Sequence, residues 1–218
     1  MPKIKYIIWD WNGTLVNDAW LFVELMNEEL SIRNLPLISI ADYREKFTFP
    51  VKTYYENLGF DFSNEDFKAV GLNFIQNFKK RNREPYLYQN AQHILKKLAA
   101  ANIGQSIVSA QENQLLNDTV RFYQLNKFFD HVAGIDHYYA DNKIKLAASI
   151  REKINHHDNE IIFIGDTVHD YEVAQALNLH CILFTNGHYS KRRLAKCKCM
   201  MIDNHLDLLS VLDSSISG

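Results

Sequence analysis

Residues 5–15 read KYIIWDWNGTL, and this stretch decides the fold. Four apolar side chains in a row, Tyr6-Ile7-Ile8-Trp9, run directly into Asp10. A run that is apolar at every position, not at every second one, is a strand covered on both faces. Asn12-Gly13 then ends it, because Asn and Gly tolerate the backbone angles a tight turn demands. The carboxylate of Asp10 therefore stands at the carboxyl end of a buried strand. That is where open α/β sheets bind their ligands.

Working outward, the same kind of apolar run recurs in IGQSIVS (103–109), HVAGI (131–135), EIIFIGD (160–166) and HCILFTN (180–186), with CMMID (199–203) as a sixth, edge strand. Amphipathic segments separate them. In QNAQHILKKLAAA (89–101), Ala91, Ile94, Leu95 and Leu98 recur at helical spacing, and 112–126, 143–155 and 168–178 follow the same rule. A further short helix is expected around LDLLSVL. Alternating strands and helices predict an α/β fold: a doubly wound, Rossmann-like parallel sheet with right-handed crossovers. One segment breaks the alternation. Between Asp18 and Pro85 only helical patterns occur, over a stretch of about 65 residues, far beyond an ordinary βα loop. It carries Phe22, Phe47, Phe49, Phe60, Phe62, Phe67, Phe74 and Phe78, enough for a small core of its own. The expected organisation is a sheet domain from residues 1–17 and 86–218, with residues 18–85 as an inserted α-helical domain.

Composition narrows the function. Of the 218 residues, 47% are hydrophobic and 23% charged, as in an ordinary globular protein. Lys and Arg total 24 against 26 Asp and Glu, so no general attraction to nucleic acid or anionic membrane is expected. No apolar run approaches the ~20 residues that span a bilayer. The N-terminal apolar stretch also meets Asp10 too soon for a signal peptide. These features point to a soluble, cytoplasmic protein. The three cysteines cannot form a disulfide framework. Cys181 reads as a small core residue, and Cys197-x-Cys199 lacks the further ligands a zinc site needs.

The strand ends gather a particular set of side chains. Asp10 ends the first strand and Ser109 the second. Gly165-Asp166-Thr167 ends the fourth, with Asp170 four positions after Asp166, and Lys143 opens the preceding helix. Each has a plain structural reading alone: a turn, a helix cap, a solvated lysine, carboxylates at a helix start. Together they suit phosphoryl transfer. Crowded carboxylates repel one another unless a cation neutralises them, and Mg2+ favours hard oxygen ligands. A hydroxyl and an ammonium bind the remaining phosphate oxygens. An aspartate can then attack phosphorus and split the reaction into two easier steps.

This pattern resembles the haloacid dehalogenase superfamily over nearly the whole chain. Asp10-Trp11-Asn12-Gly13-Thr14-Leu15 resembles its first motif and Ser109 its second. Lys143, with Lys145 a near competitor, resembles its third, and Gly165-Asp166-Thr167-Val168-His169-Asp170 its fourth. The helical insertion is similar to that family's C1-type cap. The resemblance implies a Mg2+-dependent phosphatase similar in architecture to phosphoglycolate phosphatases, acting on a small phosphorylated metabolite. Asp10 is implied as nucleophile and metal ligand, the Asn12 backbone carbonyl, Asp166 and Asp170 as further ligands, and Thr14, Ser109 and Lys143 as phosphate-binding groups. The cap is implied to close over the site, exclude water and choose the substrate.

Asn12 departs from the pattern. The phosphatase branch carries a second aspartate there, which protonates the leaving group and later activates water. An amide cannot exchange protons, although its backbone carbonyl can still face a metal. Alkyl phosphates, whose leaving groups need that proton, should suffer most, aryl and acyl phosphates less. His169 is one candidate for a replacement acid. Two other readings stay open: a C–P bond hydrolase similar to phosphonoacetaldehyde hydrolases, with Lys52 of the insertion as a Schiff base, and a phosphometabolite-binding regulatory protein without turnover. Trp11 lines the pocket or packs beneath the cap. His156-His157 reads as a solvated turn, and the basic run GHYSKRRLAKCK (187–198) as a solvated helix or a grip on an anionic partner.

Overall fold

The computed structural model describes residues 3–135 and 143–216, with side chains to residue 212. Its main sheet has six parallel strands: β1 (Tyr6–Trp9), β4 (Gly104–Glu112), β5 (His131–Ile135), β6 (Ile161–Gly165), β7 (His180–Phe184) and β8 (Met200–Ile202). Their order is β5-β4-β1-β6-β7-β8. The chain therefore steps one way from β1 to β4 and β5, then the other way to β6. This leaves a topological switch point at the carboxyl end of β1.

Successive side chains of β1 point to opposite faces and both faces are dry. Ile7 and Trp9 pack with Leu95 and Leu98 of α5 (Ala91–Ala100), Leu116 and Val120 of α6 (Asn113–Phe122), and Leu208 and Leu212 of α10 (Asp207–Ile216). Tyr6 and Ile8 pack with Ala147 and Ile150 of α7 (Lys143–Arg151), Val173 and Ala174 of α8 (Val168–Ala176), and Leu194 of α9 (Lys191–Leu194). A fully buried Ile or Leu of this kind contributes about 1.5–3 kcal/mol, so the two helical layers hold β1 rigidly behind Asp10. The expectation of an α/β fold, a doubly wound, Rossmann-like parallel sheet, is met. One boundary differs: the strand expected to end at Ser109 continues to Glu112, and its pairing with β5 shifts register between Val108 and Glu112. Ser109 thus lies where the ladder is irregular, a common device for re-aiming a side chain.

Between β1 and β4 the chain forms α1 (Ala19–Ile32), α2 (Ile40–Lys46), α3 (Val51–Asn57) and α4 (Phe67–Arg81). Their shared core includes Met26, Leu30, Tyr43, Tyr54, Tyr55 and Phe60, with Phe22, Phe47, Phe62, Phe67 and Phe74 packed against it. Two short strands, β2 (Val16–Asn17) and β3 (Tyr86–Leu87), pair antiparallel where the chain leaves and re-enters the sheet domain. This ribbon was not legible in the sequence, since two residues per strand carry no periodicity.

Candidate active site

Asp10 extends β1 by one more ladder bond, its N–H donating to Ile164 O at 2.8 Å. Its carboxylate is thereby fixed beside the end of β6, where the chain turns into α8. Asp166 begins that turn. Thr167 and Asp170 then form a capping box: Asp170 Oδ2 accepts from the Thr167 N–H (2.9 Å) and hydroxyl (2.6 Å), while Thr167 Oγ1 accepts from the Asp170 N–H (3.3 Å). Helix capping therefore points Asp170 back toward Asp10. Asp10, Asp166 and Asp170, all buried, each offer an oxygen within 4.8 Å of the others, and among the described residues they are the one cluster of this kind.

Lys143, at the start of α7, is buried and donates to Asp10 Oδ1 and, at 2.6 Å, to Asp170 Oδ1. Lys145, its competitor in the sequence, is exposed. The Thr14 hydroxyl bridges a different pair, reaching Asp166 Oδ1 at 2.9 Å and Asp10 Oδ2 at 3.3 Å. The hydroxyl of Thr14, expected as a phosphate-binding group, lies between Asp10 and Asp166. Ser109 Oγ lies 3.5 Å from Asn12 Oδ1 and accepts from the Gln111 N–H at 3.1 Å.

Burial sets the electrostatics. It pushes the Asp10 carboxyl up to about 6, against the pull of Lys143. Burial also pushes Asp166 up to about 8; the charge of His188 opposes this, and those of Asp10 and Asp170 add to it. For Asp170 burial works the same way, but Lys143 outweighs it and holds the carboxyl below its ordinary value. One ammonium thus satisfies two of three carboxylates, and at Asp166 the charge of His188 does not offset burial and the two acidic neighbours. All-oxygen donors in a charge-deficient pocket are what a hard divalent cation such as Mg2+ requires.

Several residues of the site carried no sequence signal. Asp18, directly before α1, reads as an ordinary helix cap. In fact its Oδ2 accepts from the Asn12 amide at 2.5 Å and its Oδ1 from the Gly13 N–H at 2.9 Å. His188, in the loop after β7, donates its backbone N–H to Asp166 Oδ2 at 2.6 Å, and its ring Nε2 donates to Asp18 Oδ1 at 3.2 Å. Burial alone would lower the His188 pKa; the hydrogen bond to Asp18 and the surrounding carboxylates hold it above the usual value. His205 donates from Nε2 to Thr14 O at 2.8 Å within a box of Trp9, Tyr88 and Phe184, and burial pushes it down to about 4. Gly13, at φ +72°, has room for no side chain: a Cβ would overlap Asp166 and the His188 ring.

Other candidates lie elsewhere. Lys52 is half-exposed on α3, paired with Glu56 at 3.7 Å and 6.0 Å from the Phe62 ring, so it lacks the desolvation a Schiff-base lysine needs. His169 faces Glu172 at 3.2 Å and the Phe49 ring at 5.6 Å, and its buried Nε2 has no partner. Trp11 belongs to the core beneath the sheet, against Tyr123, and not to a pocket wall. In the basic run, Lys191 pairs with Asp203 (3.1 Å) and Arg192 with Glu45 (2.5 Å), while Arg193 donates to the carbonyls of Arg44 (3.0 Å) and Phe47 (2.6 Å). Arg192 and Arg193 therefore fasten the insertion to the sheet domain.

Residues 7–184 match the model of one family, described as haloacid dehalogenase-like hydrolase. No curated protein matches the chain by sequence. Solved structures similar over the full length include a "predicted phosphatase" from Clostridium acetobutylicum, 18% identical over 97% of this chain and 99% of that one, with a TM-score of 0.81. A "predicted phosphoglycolate phosphatase" from Haemophilus somnus 129pt is 18% identical over 97% and 99%, with a TM-score of 0.78. A haloacid dehalogenase-like protein of unknown function from Agrobacterium tumefaciens is 18% identical over 97% and 98%, with a TM-score of 0.79. At these identities the likeness is one of fold. No helix among the described residues is long and apolar enough to cross a membrane.

Proposed function

The chain belongs to the haloacid dehalogenase-like hydrolases, and from that membership we propose that it is a Mg2+-dependent phosphatase of a small phosphorylated metabolite, with Asp10 as nucleophile. The observation that carries this reading is the buried triad of Asp10, Asp166 and Asp170, set at the carboxyl ends of β1 and β6 and bridged by Lys143. Asp10, Asp166, Asp170 and the Asn12 backbone carbonyl are the groups that would hold the ion. Bound there, Mg2+ supplies the positive charge that lets a phosphate dianion approach a carboxylate.

The residues themselves divide the work. Asp10, with its pKa at about 6, is largely ionised at neutral pH and can attack phosphorus while the bond to the leaving oxygen breaks. Ser109 and Lys143 bind the phosphoryl oxygens, and Thr14 keeps Asp10 aligned with Asp166. Water then attacks the aspartyl-phosphate, its P–O bond to Asp10 breaks, and phosphate departs with the proton. Asn12 can neither give a proton to the leaving oxygen in the first step nor take one from the attacking water in the second. Alkyl phosphates should therefore react some 10²–10⁴-fold more slowly than with an acid in that place, while acyl and aryl phosphates, whose leaving groups need no proton, should lose little in the first step. The helices of the insertion act as a cap that excludes water. The names of the similar structures, phosphatase and phosphoglycolate phosphatase, support the same class of substrate.

Rapid-quench measurement on an aryl phosphate tests the reading. We expect a Mg2+-dependent burst of the phenol followed by slower phosphate release, both lost with chelator and in Asp10→Asn. Turnover that survives in Asp10→Asn would remove the aspartate from its role.

A further inference from the structure

A chain of polar groups runs from the insertion to the turn that follows the nucleophile. Tyr43 of α2, 1% exposed, sets its hydroxyl 2.7 Å from His188 Nδ1. His188, 4% exposed, donates from Nε2 to Asp18 Oδ1 at 3.2 Å. Asp18, 1% exposed, holds the Gly13 N–H with that oxygen and the Asn12 amide with the other.

Asp18 sits in an unusual way for its position. It is the N-cap of α1, where an aspartate ordinarily accepts from the helix backbone. No such bond forms. A buried carboxylate that forgoes its helix must find other donors, and all of those found here belong to the Asn12-Gly13 turn or to His188. The loop carrying His188 is tied to α2 as well. The Arg44 guanidinium donates to Gly187 O (2.8 Å) and Asn186 O (2.6 Å), and the Ser190 N–H donates to Arg44 O (3.2 Å). Moving α2 therefore moves the loop, the His188 ring and the groups that ring supports.

We propose that His188 and Asp18 are positioning residues that couple the docking of α2 to the geometry of the Asn12-Gly13 turn, and through it to the alignment of Asp10. With the Tyr43 hydroxyl seated, the ring lies against Gly13 and directs Nε2 at Asp18. When α2 withdraws, the ring keeps one anchor of two and the turn loosens. The insertion then does more than exclude water: it completes the nucleophile's setting only when closed. The catalytic consequence rests on the phosphatase reading above, while the structural coupling does not.

Tyr43→Phe, which removes one hydroxyl and keeps the ring, gives a test in two parts. In amide hydrogen exchange of the metal-free protein, coupling requires exchange over residues 11–17 to rise about tenfold in Tyr43→Phe, with β1 and β6 unchanged. Unchanged exchange over 11–17 overturns the proposal. In steady-state kinetics with p-nitrophenyl phosphate and Mg2+, Tyr43→Phe and Asp18→Asn should each lower kcat about tenfold with KM altered less than about twofold, and the double variant should fall no further than the worse single. His188→Gln, whose amide N–H can still face Asp18, should behave as Tyr43→Phe does. Losses that multiply, or that reside in KM alone, mean independent contacts and overturn the coupling. A wild-type protein that turns over no phosphate ester defeats the phosphatase reading instead, and the exchange comparison still decides the coupling.

Discussion

An aspartate in place of Asn12 would bring a second carboxylate to within 2.5 Å of Asp18, where the amide now donates. The asparagine is thus the residue this neighbour requires, not merely a lost acid. Two consequences follow at this scale. Asn12→Asp alone should destabilise the protein by on the order of 2 kcal/mol in urea melts at pH 7.5, because two carboxylates would then compete for the donors of one. Exchanging the pair, Asn12→Asp with Asp18→Asn, restores one donor facing one acceptor and should recover most of that stability. The exchanged protein also carries a protonatable group beside Asp10, so its kcat for a primary alkyl phosphate should exceed the wild type's by ~10²-fold, while for an aryl phosphate the burst should change little and the slower phosphate release after it should speed up. An exchanged variant as unstable as the single one would refute the pairing. Asp10, Asp166, Asp170 and Lys143 were legible as residues because strand ends and a helix start place them. Asp18 and His188 were not. They lie 170 positions apart, and the first looks like an ordinary cap until its carboxylate is seen to turn away from the helix.

The strands were legible as elements for one physical reason: each is apolar at every position, and only a strand buried on both faces tolerates that. The β2–β3 ribbon escaped because two-residue strands have no pattern, and β4 was cut short because polar Gln111 and Glu112 follow Ser109. The loop from β7 to α9 looked featureless, yet it packs against Asp166 so closely that a Cβ on Gly187 would overlap that carboxylate. Gly187→Ala should therefore push the loop away, cost about 1–3 kcal/mol of stability and weaken Mg2+ binding at least tenfold by calorimetry. Gly71, within α4, makes the contrast, for a Cβ there would meet nothing within 4 Å. Gly71→Ala should stabilise by roughly 0.5–1 kcal/mol, since alanine loses less freedom in a helix, and should leave Mg2+ affinity alone. Equal effects at the two glycines would show that the loop does not press on the site.

At the scale of the whole molecule, the sheet and its two layers follow from sequence periodicity, but the seating of the insertion does not. Its fastenings, Arg192 to Glu45 and Arg193 to the carbonyls of Arg44 and Phe47, join residues almost 150 positions apart, and a basic run gives no hint of which acid it will meet. Burying three carboxylates together leaves a global electrostatic signature. The carboxyls of Asp166 and Asp10, raised to about 8 and about 6, bind protons in the folded state that the unfolded chain has released. Their contribution to stability is complete below the unfolded value near 4 and is lost as pH rises through 6 and 8. His205 acts in the opposite sense: lowered to about 4, it favours folding as pH rises from 4 to 6.5. Above pH 6.5 the carboxylates tilt the curve downward and His188, held above its usual value, tilts it the same way, so the metal-free protein should melt several degrees lower at pH 8.5 than at pH 6.5. Mg2+ holds those carboxylates ionised and should remove their part of the slope. Thermal melts in chelator and in Mg2+ across that range should therefore diverge as pH rises. Parallel curves would mean that Asp166 is already ionised in the metal-free fold, and that the triad has no special demand for a cation.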